Sequence, residues 1–418
     1  MNATTFALAA GLALGLAVTP VAAHSEARLL VDVETGKVLT EQNAGAPWYP
    51  ASVTKLMTTY VTLRAMQGGQ ISRDTVFVVS PRAVAQQPSK MGFKTGTRVT
   101  VDNALKMMLV HSANDMAIVL AEGVSGSIDN FTVAMNVEAQ RLGMTQTNYV
   151  NPNGLPDDQQ ITSARDLAIL ARALIRDFPD YDGYWHIPSI RLGRKIYHNT
   201  NKLIDAYAGS DGMKTGFICA SGYNLVATAS RNGKRLIAVI LGAKSDMARA
   251  ADAADLFERG FSGGAAGSWW LSPSAPATVE AVQPVAGTPP DLHDEVCPER
   301  GHRRTPTEEA IRATSSLGDL PPALDLRAAP TNVLTAGLTA RVAPIDVYTG
   351  PARPPGWTPS AGQGKKAAAA ESAAAAKSEK PAKPGKSSNP GARSKPAVAP
   401  KPAPAHDAPS SDAPGEDR

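Results

Sequence analysis

Cysteines, paired histidines, aromatic side chains and long apolar runs are all scarce in this chain, and each scarcity closes off a class of protein. Two cysteines, Cys219 and Cys297, cannot build a disulfide framework; they are expected as free thiols, with a single bridge between them as the alternative. The seven histidines form no HxxxH pair and there is no CxxC, so no metal site is expected. Charge of one sign is lacking too. With 42 Lys+Arg against 38 Asp+Glu, no global field marks a nucleic-acid binder. The one long apolar run, Phe6 to Val21, is too short and too rich in Gly and Ala to span a bilayer. It ends in Val21-Ala22-Ala23, which fits signal-peptidase cleavage, although no Lys or Arg precedes Phe6. Residues 1–23 are therefore expected to be a signal peptide and the protein to be exported. Aromatics make up 5% of the chain while prolines number 33, a combination that suggests one packed domain diluted by unpacked chain.

The packed part is expected at residues 24–262. Ala27 to Val33 reads as a strand, Glu34-Thr-Gly36 as a turn and Lys37 to Thr40 as the return strand. A helical pattern runs from Ser52 to Met66 and stops at Gly68-Gly69, and Asp102–Val110 and Asn114–Glu122 read as two further helices. Ser163 caps another helix, with Asp166 in its first turn. Near the end, Tyr223–Ser230 and Arg235–Leu241 flank Asn232-Gly233, a strong hairpin cue, before Ser245 caps an amphipathic helix to about Phe261. Strands from both chain ends with helices between them imply an α+β layered domain built on an antiparallel sheet. Residues 263–350 read as poorly structured with short strands within Thr331–Tyr348. From 351 to 418 the Pro/Ala/Lys-rich composition predicts a disordered tail, expected to be solvated, with loose contact of its basic run with anionic wall polymers or a membrane surface as the alternative.

Three triplets carry the chemistry. In Ser52-Val-Thr-Lys55, positions i and i+3 at the start of a helix share a face, so the hydroxyl and the amine can meet. A serine needs a base to become a nucleophile at neutral pH, and a lysine serves when it is neutral, a state favoured by burial and by a second nearby cation. Ser112-Ala-Asn114 follows, between two apolar helices; its hydroxyl suits proton relay and its amide suits holding a peptide carbonyl. Lys214-Thr215-Gly216 fits a strand at the edge of a cleft, with a cation, a hydroxyl and a position where substrate backbone can lie close. Each triplet alone has an ordinary reading as a cap, a helix junction or an edge strand. Together, in the order SxxK, SxN and KTG, they resemble the signature of penicillin-binding proteins and serine β-lactamases.

More stretches extend the resemblance to the S11 family of D-alanyl-D-alanine carboxypeptidases: Ala51–Thr58, Leu109–Asp115, Asn151-Pro-Asn-Gly-Leu155, Thr162–Leu167, Asn199–Leu203, Asp211–Gly216 and Gly222–Ala227. The resemblance implies a penicillin-binding transpeptidase-like fold and a serine peptidase acting on peptidoglycan stem peptides, with β-lactams as covalent inhibitors. It implies Ser52 as acyl-forming nucleophile, Lys55 as general base, and Ser112 with Asn114 as relay and substrate-positioning pair. Lys214, Thr215 and Gly216 would meet the substrate and its terminal carboxylate. Backbone N–H groups of Ser52 and Phe217 would form the oxyanion hole. All these groups come from the protein, so no cofactor is implied. Some relatives carry an arginine where this chain has Thr200 and a polar residue where it has Phe217, which leaves the carboxylate clamp leaning on Lys214 and Thr215. Cys219 and His111 are expected as packed neighbours of the site.

Two enzymatic rivals share these triplets. A class A β-lactamase adds a loop glutamate that directs water at the acyl-enzyme, and Thr145 to Ile161 contains no Glu. A DD-endopeptidase cutting cross-links uses the same chemistry and is not separated by motif. A wall-binding scaffold with a dead site is the non-enzymatic rival, against which all the inferred catalytic residues are present.

Overall fold

The computed structural model describes residues 26–262, 276–298 and 342–351. The expected signal peptide, and the tail beyond Pro351, lie outside these residues.

The first and last strands of the main domain meet in one five-stranded antiparallel sheet. β1 (Ala27–Asp32) and β2 (Val38–Gln42) form the N-terminal hairpin, turning at Gly36. The other three strands are β7 (Ser210–Ile218), β8 (Gly222–Arg231) and β9 (Lys234–Ala243), and the sheet order is β2-β1-β9-β8-β7. The β8–β9 turn is the expected Asn232-Gly233, both residues at positive φ. Side chains alternate across the sheet. Leu29, Val31, Ile237, Val239 and Leu241 face one hydrophobic cluster, whereas Leu30, Leu236, Ala238 and Ile240 face another. Both faces are thus covered, which is why these strands read as continuous apolar runs.

The helices supply the two outer layers. α1 (Lys55–Gln67) is preceded by a 3₁₀ turn at Ala51–Thr54, and it is buried nearly all round. Its polar residues are satisfied locally: Thr59 donates to the Lys55 carbonyl and Thr62 to the Thr58 carbonyl, each at 2.8 Å. Next come β3 (Val76–Val78), α2 (Pro81–Val84) and β4 (Arg98–Thr100), with β3 and β4 paired. α3 (Val101–His111), α4 (Asn114–Ser125), α5 (Ile128–Arg141) and α6 (Ala164–Asp177) complete the helical part, with the expected Ser163 cap accepting from the Asp166 N–H. A small hairpin, β5 (Ser189–Leu192) and β6 (Lys195–His198), and the one-turn α7 (Leu203–Ala206) lead into β7. α8 (Asp246–Phe261), capped by Ser245 as expected, packs Ala253, Ala254 and Phe257 on the second face of the sheet.

Two segments beyond 262 pack against this domain. Residues 276–298, which include the one-turn α9 (His293–Val296), bury Val279, Val282 and Leu292 in the larger cluster. Val279 N–H donates to the Gly36 carbonyl and Val285 N–H to the Gly45 carbonyl. Within residues 342–351, β10 (Ile345–Val347) pairs in parallel with β5 and buries Val347.

The free thiols expected from the sequence are corrected by the structure. Cys219 and Cys297 are disulfide-bonded, with Cα atoms 5.7 Å apart across a sequence separation of 78. The fold brings them together because Leu292 N–H bonds to the Ala220 carbonyl, laying residues 292–297 over the β7–β8 turn. Cys219 therefore has a tethering role there.

Candidate active site

Ser52 and Lys55 meet where the chain enters α1. Ser52 lies inside the 3₁₀ turn, not on the α-helix expected, and that geometry eclipses side chains at i and i+3. Lys55 Nζ lies 2.8 Å from Ser52 Oγ and donates to the Asn153 carbonyl at 2.7 Å. Lys55 is completely buried while Ser52 keeps 8% of its surface exposed, so the pair opens outward through the serine. The preceding Ala51 holds φ at +49°, a sparsely populated conformation for a residue with a Cβ.

The Asn153 carbonyl sits in a loop fixed by its own side chains. Gly154 N–H donates to Asn151 Oδ1 at 2.7 Å, and Gln160 Oε1 accepts from the Val150 and Asn151 N–H groups. Gly154 has φ +79°, and a Cβ there would lie 1.8 Å from the Ala51 carbonyl oxygen. Only glycine lets this loop touch the serine turn.

Ser112 and Lys214 form the second pair. Ser112 ends α3 in the left-handed conformation, at φ 59° and ψ 27°, and Lys214 Nζ donates to its Oγ at 2.9 Å. Lys214 is fully buried and also donates to the Thr215 carbonyl at 2.8 Å. Thr215 Oγ1 donates to Thr200 Oγ1 at 2.6 Å, so the hydroxyl at the position where some relatives carry arginine is engaged with the KTG threonine.

β7 is an edge strand, as the KTG reading expects, and it couples the two pairs. Lys214 and Gly216 share one face of it. A Cβ on Gly216 would sit 2.8 Å from the Pro50 carbonyl oxygen and 3.1 Å from Ser52 N, so β7 lies directly against the serine turn. Phe217 packs against Tyr223 with ring centroids 4.3 Å apart and planes tilted by 36°. Asn114, 4% exposed, donates its Nδ2 to the Gln87 carbonyl at 2.9 Å, while its buried Oδ1 has no hydrogen-bond partner among the described residues. His111 packs edge-on against Tyr197 at 4.5 Å.

Some groups that build the site were not singled out in the sequence. The Asn153 carbonyl is a backbone atom, and its signal is confined to the Asn-Pro-Asn-Gly stretch. Arg249 on α8 is 6% exposed, donates to the carbonyls of Gly216 and Asn224 at 3.1 and 3.3 Å, and lies over the Tyr223 ring. It braces β7 from behind, and nothing in its local pattern separates it from a surface arginine. Among the described residues no cluster of His, Cys, Asp or Glu could hold a metal ion.

Comparisons agree with this geometry. Residues 15–245 match the S11 peptidase family, described as D-alanyl-D-alanine carboxypeptidase. The D-alanyl-D-alanine carboxypeptidase DacC of Escherichia coli is 37% identical over 244 residues, 57% of this chain and 61% of its own length. This chain therefore spans a little under two thirds of that relative. Among solved structures, penicillin binding protein 5 from Haemophilus influenzae superposes with a TM-score of 0.55 at 34% identity, over 59% of this chain and 73% of its own. Penicillin-binding protein D2 from Listeria monocytogenes, in a cefotaxime-bound form, gives 0.52 at 32% identity, covering 57% of this chain and 97% of its own. The antiparallel sheet with helices on both faces, carrying the three triplets in order, is the fold of these proteins, and the chain belongs to the S11 family of D-alanyl-D-alanine carboxypeptidases.

Proposed function

We propose that the protein is an exported serine-type D-Ala-D-Ala carboxypeptidase that removes the terminal D-alanine of peptidoglycan stem pentapeptides. The observation that carries this reading is the Lys55–Ser52 contact of 2.8 Å, made by a fully buried lysine beside an edge strand able to hold a peptide. In its neutral form Lys55 takes the Ser52 proton as Oγ attacks the penultimate D-alanine carbonyl. The developing oxyanion is held by the backbone N–H groups of Ser52 and Phe217, each such donor contributing about 10²–10³ in rate. The proton taken by Lys55 is delivered through Ser112 to the leaving amine, which restores neutral Lys55, and D-alanine departs. Lys214 and Thr215 meet its carboxylate, Asn114 holds the peptide behind the scissile bond, and Gly216 lets the substrate backbone lie along β7. Water then hydrolyses the Ser52 ester and returns the proton. The Asn153 carbonyl at Lys55 Nζ holds the amine beside Oγ, in a loop whose stretch from Thr145 to Ile161 carries no glutamate to drive fast hydrolysis of a penicilloyl ester.

Domain boundaries follow this reading: a signal peptide at 1–23, a peptidase domain at 24–262 with the packed segments 276–298 and 342–351, and a basic tail that makes loose contact with wall polymers or a membrane surface. Among the described residues no helix is long and apolar enough to cross a membrane. Offering the enzyme a pentapeptide muropeptide, a cross-linked dimer and a fluorescent penicillin in parallel tests the assignment. The reading expects D-alanine from the first, little monomer from the second and a long-lived adduct from the third. Preferential cleavage of the dimer would replace it with an endopeptidase, and rapid release of hydrolysed penicillin with a β-lactamase.

A further inference from the structure

Asp115 directly follows Asn114 in the first turn of α4 and is 1% exposed. Its carboxylate accepts N–H bonds from Met91 at 3.1 Å, Gly92 at 2.9 Å and Met116 at 2.9 Å. Burial pushes this carboxyl up from its usual range, against the pull of those N–H groups and of Lys90. Two of these bonds tie the carboxylate to backbone outside α4. What it holds is the irregular stretch 86–92, where no sheet ladder satisfies the amides of residues 91 and 92.

That stretch grips the site at three further points. The Gln87 carbonyl accepts from Asn114 Nδ2 at 2.9 Å, and the Ser89 carbonyl accepts from Asn114 N–H at 2.7 Å. Gln86 Oε1 accepts from Asn153 Nδ2 at 2.7 Å, and Asn153 in turn supplies the carbonyl on Lys55. An amide side chain rotates readily about its terminal torsion, which is broad and nearly two-fold. Using one Nδ2 hydrogen on the Gln87 carbonyl fixes the amide plane and leaves the second hydrogen for a ligand.

We propose that Asp115 is a positioning residue: its carboxylate clamps residues 86–92, and through the Gln87 and Ser89 carbonyls that stretch sets the orientation in which Asn114 meets the bound peptide. The inference rests on reading Asn114 as the substrate-holding group. It assigns Asp115 no contact with substrate: its effect on the bound peptide passes through Asn114, and the Gln86–Asn153 bond is a second anchor of the same stretch.

Asp115→Asn is nearly isosteric but turns one acceptor into an NH₂ group facing a backbone N–H. Acylation by a fluorescent penicillin separates rate from labelled fraction, and a purely structural lesion would lower the fraction while leaving the rate of the folded molecules unchanged. The expected result is a fall in acylation rate of about 10- to 50-fold with full final labelling, as a displaced positioning group implies. Asp115→Glu, which keeps both acceptor oxygens, is expected to recover part of the rate. Asn114→Ala alone should slow acylation, and adding Asp115→Asn to it should cost no more than about twofold further, because residues acting through one contact are not additive. Multiplicative losses in the double variant, or an Asp115→Asn rate within about twofold of the parent, overturn the inference. If Asp115→Asn does not fold, Asp115→Ser, with a single acceptor, goes through the same cycle. D-alanine release by the parent is followed alongside. Penicillin labelling without release overturns the carboxypeptidase reading alone, and an additive cycle with release intact overturns this inference alone.

Discussion

Replacing Gly154 with alanine concentrates the structural argument on a single methyl group. The new Cβ would fall 1.8 Å from the Ala51 carbonyl oxygen, 2.3 Å from its carbon and 3.0 Å from Ser52 N. All three are backbone atoms, so no side chain can swing away. Reaching ordinary contact at 3.4 Å requires the loop and the serine turn to part by about 1.6 Å. Asn153 is the preceding residue, and its carbonyl bond to Lys55 of 2.7 Å would not survive such a displacement. The φ of +79° adds strain for any residue with a Cβ. Together these terms cost about 2–4 kcal/mol of stability, a fall in Tm of about 5–15 °C for a domain of this size. Catalysis should suffer more: misplacing a reacting group by about 1 Å costs about 10²-fold. Acylation by a fluorescent penicillin at 20 °C, below the lowered Tm, measures that loss directly. An acylation rate within about threefold of the parent, with an unchanged Tm, would refute the claim that Gly154 lets the loop seat Lys55 against Ser52.

Gly216→Ala should slow acylation at least tenfold, since its Cβ meets the Pro50 carbonyl and Ser52 N, and stopped-flow labelling reads the change. Reducing Cys219–Cys297 should cost about 2–4 kcal/mol, because the bridge closes a sequence separation of 78; thermal melts with and without a dithiol, and a free-thiol count near zero in the native protein, check this. Arg249→Met should remove the hydrogen bonds to the Gly216 and Asn224 carbonyls, costing about 1–3 kcal/mol and loosening β7, seen as a lower Tm together with a raised KM. Asp182 is partly buried, which opposes ionisation, yet hydrogen bonds from His186 and Arg235 hold its carboxyl below the usual range. Its stabilising contribution is therefore present above the unfolded carboxyl range and lost as pH falls through the lower folded value. Asp182→Asn should flatten the acid limb of a Tm-against-pH curve, and an unchanged acid limb would contradict the assignment.

Local chemistry made part of this molecule readable. Ser163 and Ser245 announce their helices because a hydroxyl before an apolar period caps free N–H groups. Asn232-Gly233 announces its hairpin because both residues accept positive φ. The SxxK contact follows from residue spacing, and the 3₁₀ turn that replaces the expected α start preserves it. Features that depend on packing at a distance stayed hidden. α5 carries Val133 and Val137 on its exposed side, 64% and 56% accessible, which blurs the apolar period a sequence reader relies on. β3 to β6 are three or four residues each, too short to show alternation. No spacing rule pairs Cys219 with Cys297, because the bridge depends on Leu292 reaching Ala220 over a turn formed by other residues. Residues 276–298 look unpatterned for a related reason: Val279, Val282 and Leu292 each fill a gap in a core already built by others.

D-alanine release from a pentapeptide muropeptide, by the purified protein and by its Ser52→Ala variant, addresses the central claim most directly. The account predicts steady release by the parent and none above background by the variant, which keeps the fold but lacks the hydroxyl that Lys55 approaches at 2.8 Å. Equal release by both proteins, or none by a parent that melts cooperatively, would contradict it.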